Sequence, residues 1–285
     1  MDAETVATAP FDRVTDWSDA YENRTHTPDF DRFPPMWRER SAGLRTQLGT
    51  RCERVGYGPD PRQHLVLLRP AAAPRGLLVF YHGGYWRSLE PSDFLYLAEG
   101  ALAAGHAVAM PAYRLAPDVT LPQITADALA ALRTAAGLVA GPIALAGHSA
   151  GGHLACRLAT TAAPLGGEIA HRLGPVLSIS GLHDLRPLIA TDKNADLRLD
   201  EETALAESPG LQRPRPGIRL TAWVGADERP EFVRQSALIA NAWLGLGAAT
   251  RLVVEPARHH FDVIEALSVA GSALTRTALG AEMAP

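Results

Sequence analysis

Cysteine is scarce. Cys52 and Cys156 are the only two in 285 residues, too few for a disulfide framework and too far apart for any metal-ligand spacing. One isolated disulfide between them stays open. No apolar run approaches the ~20 residues of a membrane-spanning helix. The chain opens Met-Asp-Ala-Glu-Thr-Val-Ala-Thr-Ala-Pro, without the basic and apolar regions of a secretory leader. Charge of one sign is also missing: 27 basic side chains face 31 acidic ones, a formal net charge of -4, and no six like charges run together. Neither nucleic acid nor a membrane surface is an expected partner of such a balance. These absences leave a cytoplasmic protein acting on a small-molecule substrate, with a homodimer one assembly open to it.

Single α/β domains run to roughly 200–250 residues, so 285 residues leave room for a terminal extension and a lid. Residues 1–50 are polar with scattered aromatics, Phe11, Trp17, Tyr21, Phe30, Phe33 and Trp37 among them, and read as an N-terminal arm or cap with a helix over 35–48. From Arg51 the chain alternates. Strands are expected at 52–58, 64–69, 77–81, 107–110, 141–146, 176–180, 219–224 and 250–255. Helices are expected at 93–104, 122–139, 150–162, 230–246 and 263–279. Strands alternating with helices predict a mainly parallel sheet covered on both faces, an α/β fold. Residues 182–216 break the rhythm and read as a lid insertion above the carboxyl ends of the strands, where ligand sites form.

Gly147-His148-Ser149-Ala150-Gly151 fits the G-x-S-x-G nucleophile elbow, with the apolar run 142–146 before it and a helical stretch after it. A serine raised on a tight strand-to-helix turn needs small neighbours, and Gly147, Ala150, Gly151 and Gly152 supply them. Ser149 is therefore the candidate nucleophile. The alternative is an ordinary glycine-rich turn.

Leu77 to Tyr81 leads into His82-Gly83-Gly84-Tyr85-Trp86, an HGGG-type loop of the kind that donates backbone N–H groups to a developing oxyanion. The candidate donors are Gly84 or Tyr85, with Ala150 across the site. His82 is expected to hold the loop and not to act as a base. Tyr85 and Trp86 read equally as an aromatic wall for a planar substrate or as packing beneath the cap.

A triad in the order Ser, acid, His needs a carboxylate after a later strand and an imidazole after the last one. Asp227 follows Leu220 to Ala226 and is the first choice of acid, ahead of Glu228 and Asp184. His259 and His260 both follow the last strand, and only one of them can face the serine. His148 and His153 are five apart, not the four of a helical zinc pair. No metal and no cofactor are expected.

These residues resemble the serine-hydrolase kynurenine formamidases (arylformamidases). The resemblance rests on His82-Gly83-Gly84-Tyr85-Trp86 as an HGGxW signature, on Gly147 to Leu154, on Ser180 to Leu188 and on His260-Phe261-Asp262. Tyr21-Glu22-Asn23-Arg24, Pro28, Trp37 and Ser41-Ala42 are similar to the family's N-terminal arm. The resemblance implies an α/β-hydrolase fold with an eight-stranded, mainly parallel sheet. It implies a triad of Ser149, Asp227 and His260, with Gly83 and Gly84 in the oxyanion loop. The same likeness puts Tyr85, Trp86 and His183 near the substrate; relatives carry an aromatic where this chain has His183. The implied reaction is hydrolysis of an aryl formamide such as N-formylkynurenine to formate and an aromatic amine. The alternatives are a carboxylesterase for small acyl esters and a catalytically silent binding protein.

Overall fold

The alternation of short apolar runs with amphipathic stretches builds one eight-stranded sheet. The structure is a computed structural model that describes residues 13–281. Phe11 and the rest of the first twelve residues of the expected arm lie outside the described residues. The strands are β1 (Cys52–Gly56), β2 (His64–Leu68), β3 (Leu77–Tyr81), β4 (Ala107–Pro111), β5 (Ile143–His148), β6 (Leu173–Ile179), β7 (Arg219–Gly225) and β8 (Ala249–Glu255). They lie in the order β1-β2-β4-β3-β5-β6-β7-β8. Only β2 runs antiparallel to its neighbours, β1 and β4; the other pairs are parallel. Each expected strand is present, 77–81 with its expected ends and the others with ends shifted by up to three residues.

The helices are α1 (Trp17–Ala20), α2 (Phe33–Leu48), α3 (Glu99–Ala103), α4 (Leu121–Leu138), α5 (Ala150–Leu158), α6 (Gly167–Arg172), α7 (Asn194–Leu197), α8 (Glu201–Glu207), α9 (Pro230–Gly245) and α10 (Ala273–Ala278). Two expectations need correcting. The segment 93–104 is not one helix: two 3-10 turns precede the short α3. The segment 263–279 is broken as well. Gly271 takes a left-handed φ of 70°, and Ser272 then caps a new start at α10 by accepting from the Thr275 N–H.

Central strands β3 and β5 are buried along their whole length, which is why they read as unbroken apolar runs. Strand geometry sends alternate residues to opposite faces. Leu77, Val79 and Tyr81 thus join α4, α5 and α9 in one core. Leu78 and Phe80 join α2, α3 and α10 in the other. Both cores brace the carboxyl ends of β3, β5 and β7, where the chain turns into the site. Cys52 and Cys156 are free thiols.

Candidate active site

The turn from β5 into α5 puts Ser149 at φ 55°, ψ -119°, a backbone conformation that L-residues avoid. The glycines around it are dictated by backbone. A Cβ on Gly147 would lie 2.0 Å from the Gly151 carbonyl oxygen, and one on Gly151 would lie 1.9 Å from that of Tyr81. The Ser149 N–H donates to the Ile179 carbonyl at 2.8 Å, which ties the turn to β6. Ala150 is the first residue of α5, so its N–H belongs to the unpaired N-terminal set that favours negative charge.

Gly83 and Gly84 bring the loop after β3 against this turn. A Cβ on Gly83 would stand 3.2 Å from the Ser149 Cβ, and Gly84 holds φ 108°. His82 sits between Phe94 and Tyr113 in a stack, and its carbonyl accepts from the Tyr113 hydroxyl at 2.8 Å. Burial lowers its pKa to about 3, so the ring is neutral and holds the loop.

The acid is where the expectation fails. Asp227 is exposed, and its N–H donates to the Arg258 carbonyl at 2.9 Å, which fixes the backbone with that side chain outward. Glu228 turns inward instead. Its Oε2 accepts from His260 Nδ1 at 2.7 Å, and its Oε1 accepts from the Gly225 N–H at 2.8 Å and the Ser180 hydroxyl at 2.5 Å. The longer side chain reaches back past the end of β7, so Glu228 replaces Asp227 beside the imidazole. Asp184, the third candidate, is held by the Arg186 guanidinium at 2.8 and 2.9 Å. Burial alone would raise its pKa, but the Arg186 hydrogen bonds and charge lower it overall.

His260 lines the same cavity as Ser149. Because Nδ1 donates to a carboxylate, the lone pair belongs to Nε2, the tautomer a general base requires. His259 turns away and meets the Phe33 ring edge-on at 5.2 Å. Sequence reasoning did not single out His148. Its Nε2 donates to the His260 carbonyl at 2.9 Å, joining the residue before Ser149 to the backbone of His260. Burial holds the His148 pKa well below the usual value, which keeps the ring neutral and the bond in one sense.

Two expected substrate contacts are corrected. Trp86 is fully buried, packed edge-on against His153 at 5.0 Å, and does not line the cavity. His183 is fully buried too, with its Nε2 3.1 Å from the Ser178 hydroxyl. Of the two sequence readings of Trp86 the packing one applies, and His183 was put near the substrate only by the family likeness, because nothing local distinguishes an aromatic packed beneath a loop from one facing a ligand. Tyr85 does line the cavity; its hydroxyl donates to the Tyr21 carbonyl at 2.5 Å. Glu22, Asn23, Phe30 and Trp37 of the arm and Lys193 of the segment 182–216 also line it. The cavity has a volume of about 160 Å³.

Comparison with known proteins agrees with this geometry. A profile described as the alpha/beta hydrolase fold matches residues 78–254. A kynurenine formamidase from Danio rerio is 27% identical over 79% of this chain and 80% of its own length. One from Salmo salar is 28% identical over 80% of each. A crystal structure from Silicibacter sp. TM1040, provisionally named a thioesterase, superposes with a TM-score of 0.88 at 38% identity, over 92% of this chain and 98% of the other. The chain belongs to the α/β-hydrolase fold family and is a hydrolase of that family.

Proposed function

We propose that the protein is a serine hydrolase that cleaves aryl formamides of the N-formylkynurenine type. The observation that carries the chemistry is the single cavity shared by Ser149 on its strained turn and His260 bonded to Glu228. The similarity to the two fish kynurenine formamidases supports the choice of substrate.

Ser149 Oγ attacks the formyl carbon while His260 Nε2 takes its proton, and the carbonyl π pair moves onto oxygen. N–H groups of Gly84 or Tyr85 and of Ala150 receive that oxyanion; one such donor typically contributes about 2.7–4 kcal/mol of transition-state stabilisation. Glu228 keeps the imidazole in the right tautomer and stabilises its cation. Collapse breaks the C–N bond, and His260 gives its proton to the departing arylamine. Water, deprotonated by His260, then attacks the formyl ester and releases formate and free Ser149. A formyl group suits a crowded nucleophile: even a single added Cβ on Gly83 would stand 3.2 Å from the Ser149 Cβ.

The test compares kcat/KM for N-formylkynurenine and p-nitrophenyl acetate. The formamide is expected to be the better substrate, and Ser149→Ala is expected to abolish both activities and labelling by a fluorophosphonate. An acetate ester turned over as fast or faster removes the substrate assignment. The thioesterase name of the Silicibacter structure favours ester-type substrates as the second reading.

A further inference from the structure

The cavity carries a cation that formyl transfer does not use. Lys193, in the segment 182–216, is only 3% exposed yet lines the same cavity as Ser149 and His260. Its Nζ lies 5.2 Å from the centroid of the Tyr85 ring. Its nearest carboxylates are Asp192 at 3.4 Å and Glu22 at 3.8 Å. Charge-assisted N–H···O bonds close to about 2.7–2.9 Å, so neither is a tight partner, and the Asp192 side chain is 72% exposed. The Glu22 carboxylate is also engaged by the Arg24 N–H at 2.8 Å. Arg87, another cation on the cavity wall, is spent differently: it donates to Asp196 at 2.6 Å.

A buried ammonium costs several kcal/mol unless acceptors surround it. Lys193 has three donors, loose counter-ions and an open cavity beside it. We propose that Lys193 binds a carboxylate of the substrate and so selects aryl formamides that bear an acidic side chain over plain ones. This assignment rests on the formamidase reading and deepens it. Tyr85 links the two ends, because its backbone belongs to the oxyanion loop and its ring packs beneath the ammonium. An aromatic ring lying along Tyr85 has its formyl group at Ser149 and its acidic arm at Lys193.

The experiment measures kcat/KM for N-formylkynurenine and for its carboxamide, followed by arylamine release. Wild type is expected to prefer the carboxylate by ~10-fold or more, the scale of a hydrogen bond to a charged group. Lys193→Met collapses that ratio towards one and Lys193→Arg keeps most of it. Equal rates for the two substrates in wild type, or a Lys193→Met enzyme that retains the preference, overturn the assignment and leave the formamidase reading standing. Failure of wild type to cleave either formamide while it cleaves esters removes the formamidase reading, and this assignment with it. Should Lys193→Met fail to fold, inhibition of wild type decides: kynurenine is expected to bind ~10-fold tighter than its carboxamide, and equal inhibition constants overturn the proposal.

Discussion

At the scale of single residues, one carbon of side-chain length separates two neighbouring carboxylates. Asp227 and Glu228 both follow β7, yet only Glu228 reaches His260 Nδ1 and the Gly225 N–H. Replacing Glu228 with Gln keeps the volume and removes the charge that supports the imidazolium. Its kcat is expected to fall ~10²–10⁴-fold, as for other losses of acid–base support, with KM changed little. Asp227→Asn, altering an exposed side chain outside the site, is expected to stay within about threefold of wild type, since surface changes usually fall within ±0.5 kcal/mol. Steady-state kinetics on the two variants, side by side, separates them, and the reverse order would put the acid at Asp227 after all. The exchange was not legible in sequence, because both residues satisfy the motif and only the direction of the backbone at Arg258 decides which one faces inward.

At the scale of elements, glycines fall into two kinds that look identical in sequence. Gly147 and Gly151 sit where an added Cβ would overlap backbone at 2.0 and 1.9 Å. Backbone cannot rotate away as a side chain can. Gly151→Ala is expected to cost at least the ~1–3 kcal/mol of an overpacked core and to abolish activity by moving β3 off the elbow. Gly43, within α2, has nothing within 4 Å of an added Cβ. Gly43→Ala is expected to stabilise by about 0.5–1 kcal/mol, the ordinary helix preference for alanine. Thermal unfolding of the two variants should move in opposite directions; a stabilised Gly151→Ala would contradict the tight strand-to-helix contact. The elbow glycines were legible because the motif states their spacing. The breaks after Phe94 and at Gly271 were not, because helical periodicity continues across both.

At the scale of the whole molecule, four histidines are buried neutral, His148 with a pKa held well below 6.5 and three more besides. His82, His153 and His183 each have a pKa lowered by burial from 6.5 to about 3. Between those values the unfolded chain binds more protons than the folded one. Their contribution is therefore complete above pH 6.5 and is lost as the pH falls towards 3, at roughly 1.4 kcal/mol per pH unit for each histidine. Denaturant midpoints are expected to drop steadily from pH 7 to pH 4.5. A midpoint that holds or rises over that interval would mean these rings are charged in the fold. The arm belongs to the same scale. The Tyr21 hydroxyl donates to Glu231 at 2.7 Å and accepts from Gln235 at 3.0 Å, while Gln235 Oε1 accepts from the N–H groups of His183 and Asp184. Through that one amide the arm, α9 and the start of the segment 182–216 are joined around the cavity.

Local pattern alone determined the eight strands, the elbow at Ser149 and the glycine loop at 83–84, and narrowed the histidine after the last strand to His259 or His260. Each depends on a short-range constraint, alternation, tight turns or chain order, that leaves its mark in neighbouring residues. Tertiary structure alone decided that Glu228 faces His260, that Trp86 and His183 are core, that His148 braces the base, and that Lys193 and the arm wall the cavity. Those outcomes depend on which side chain points at which void. That is settled only when separate elements pack against each other, from the 32 residues between Glu228 and His260 to the 112 between His148 and His260.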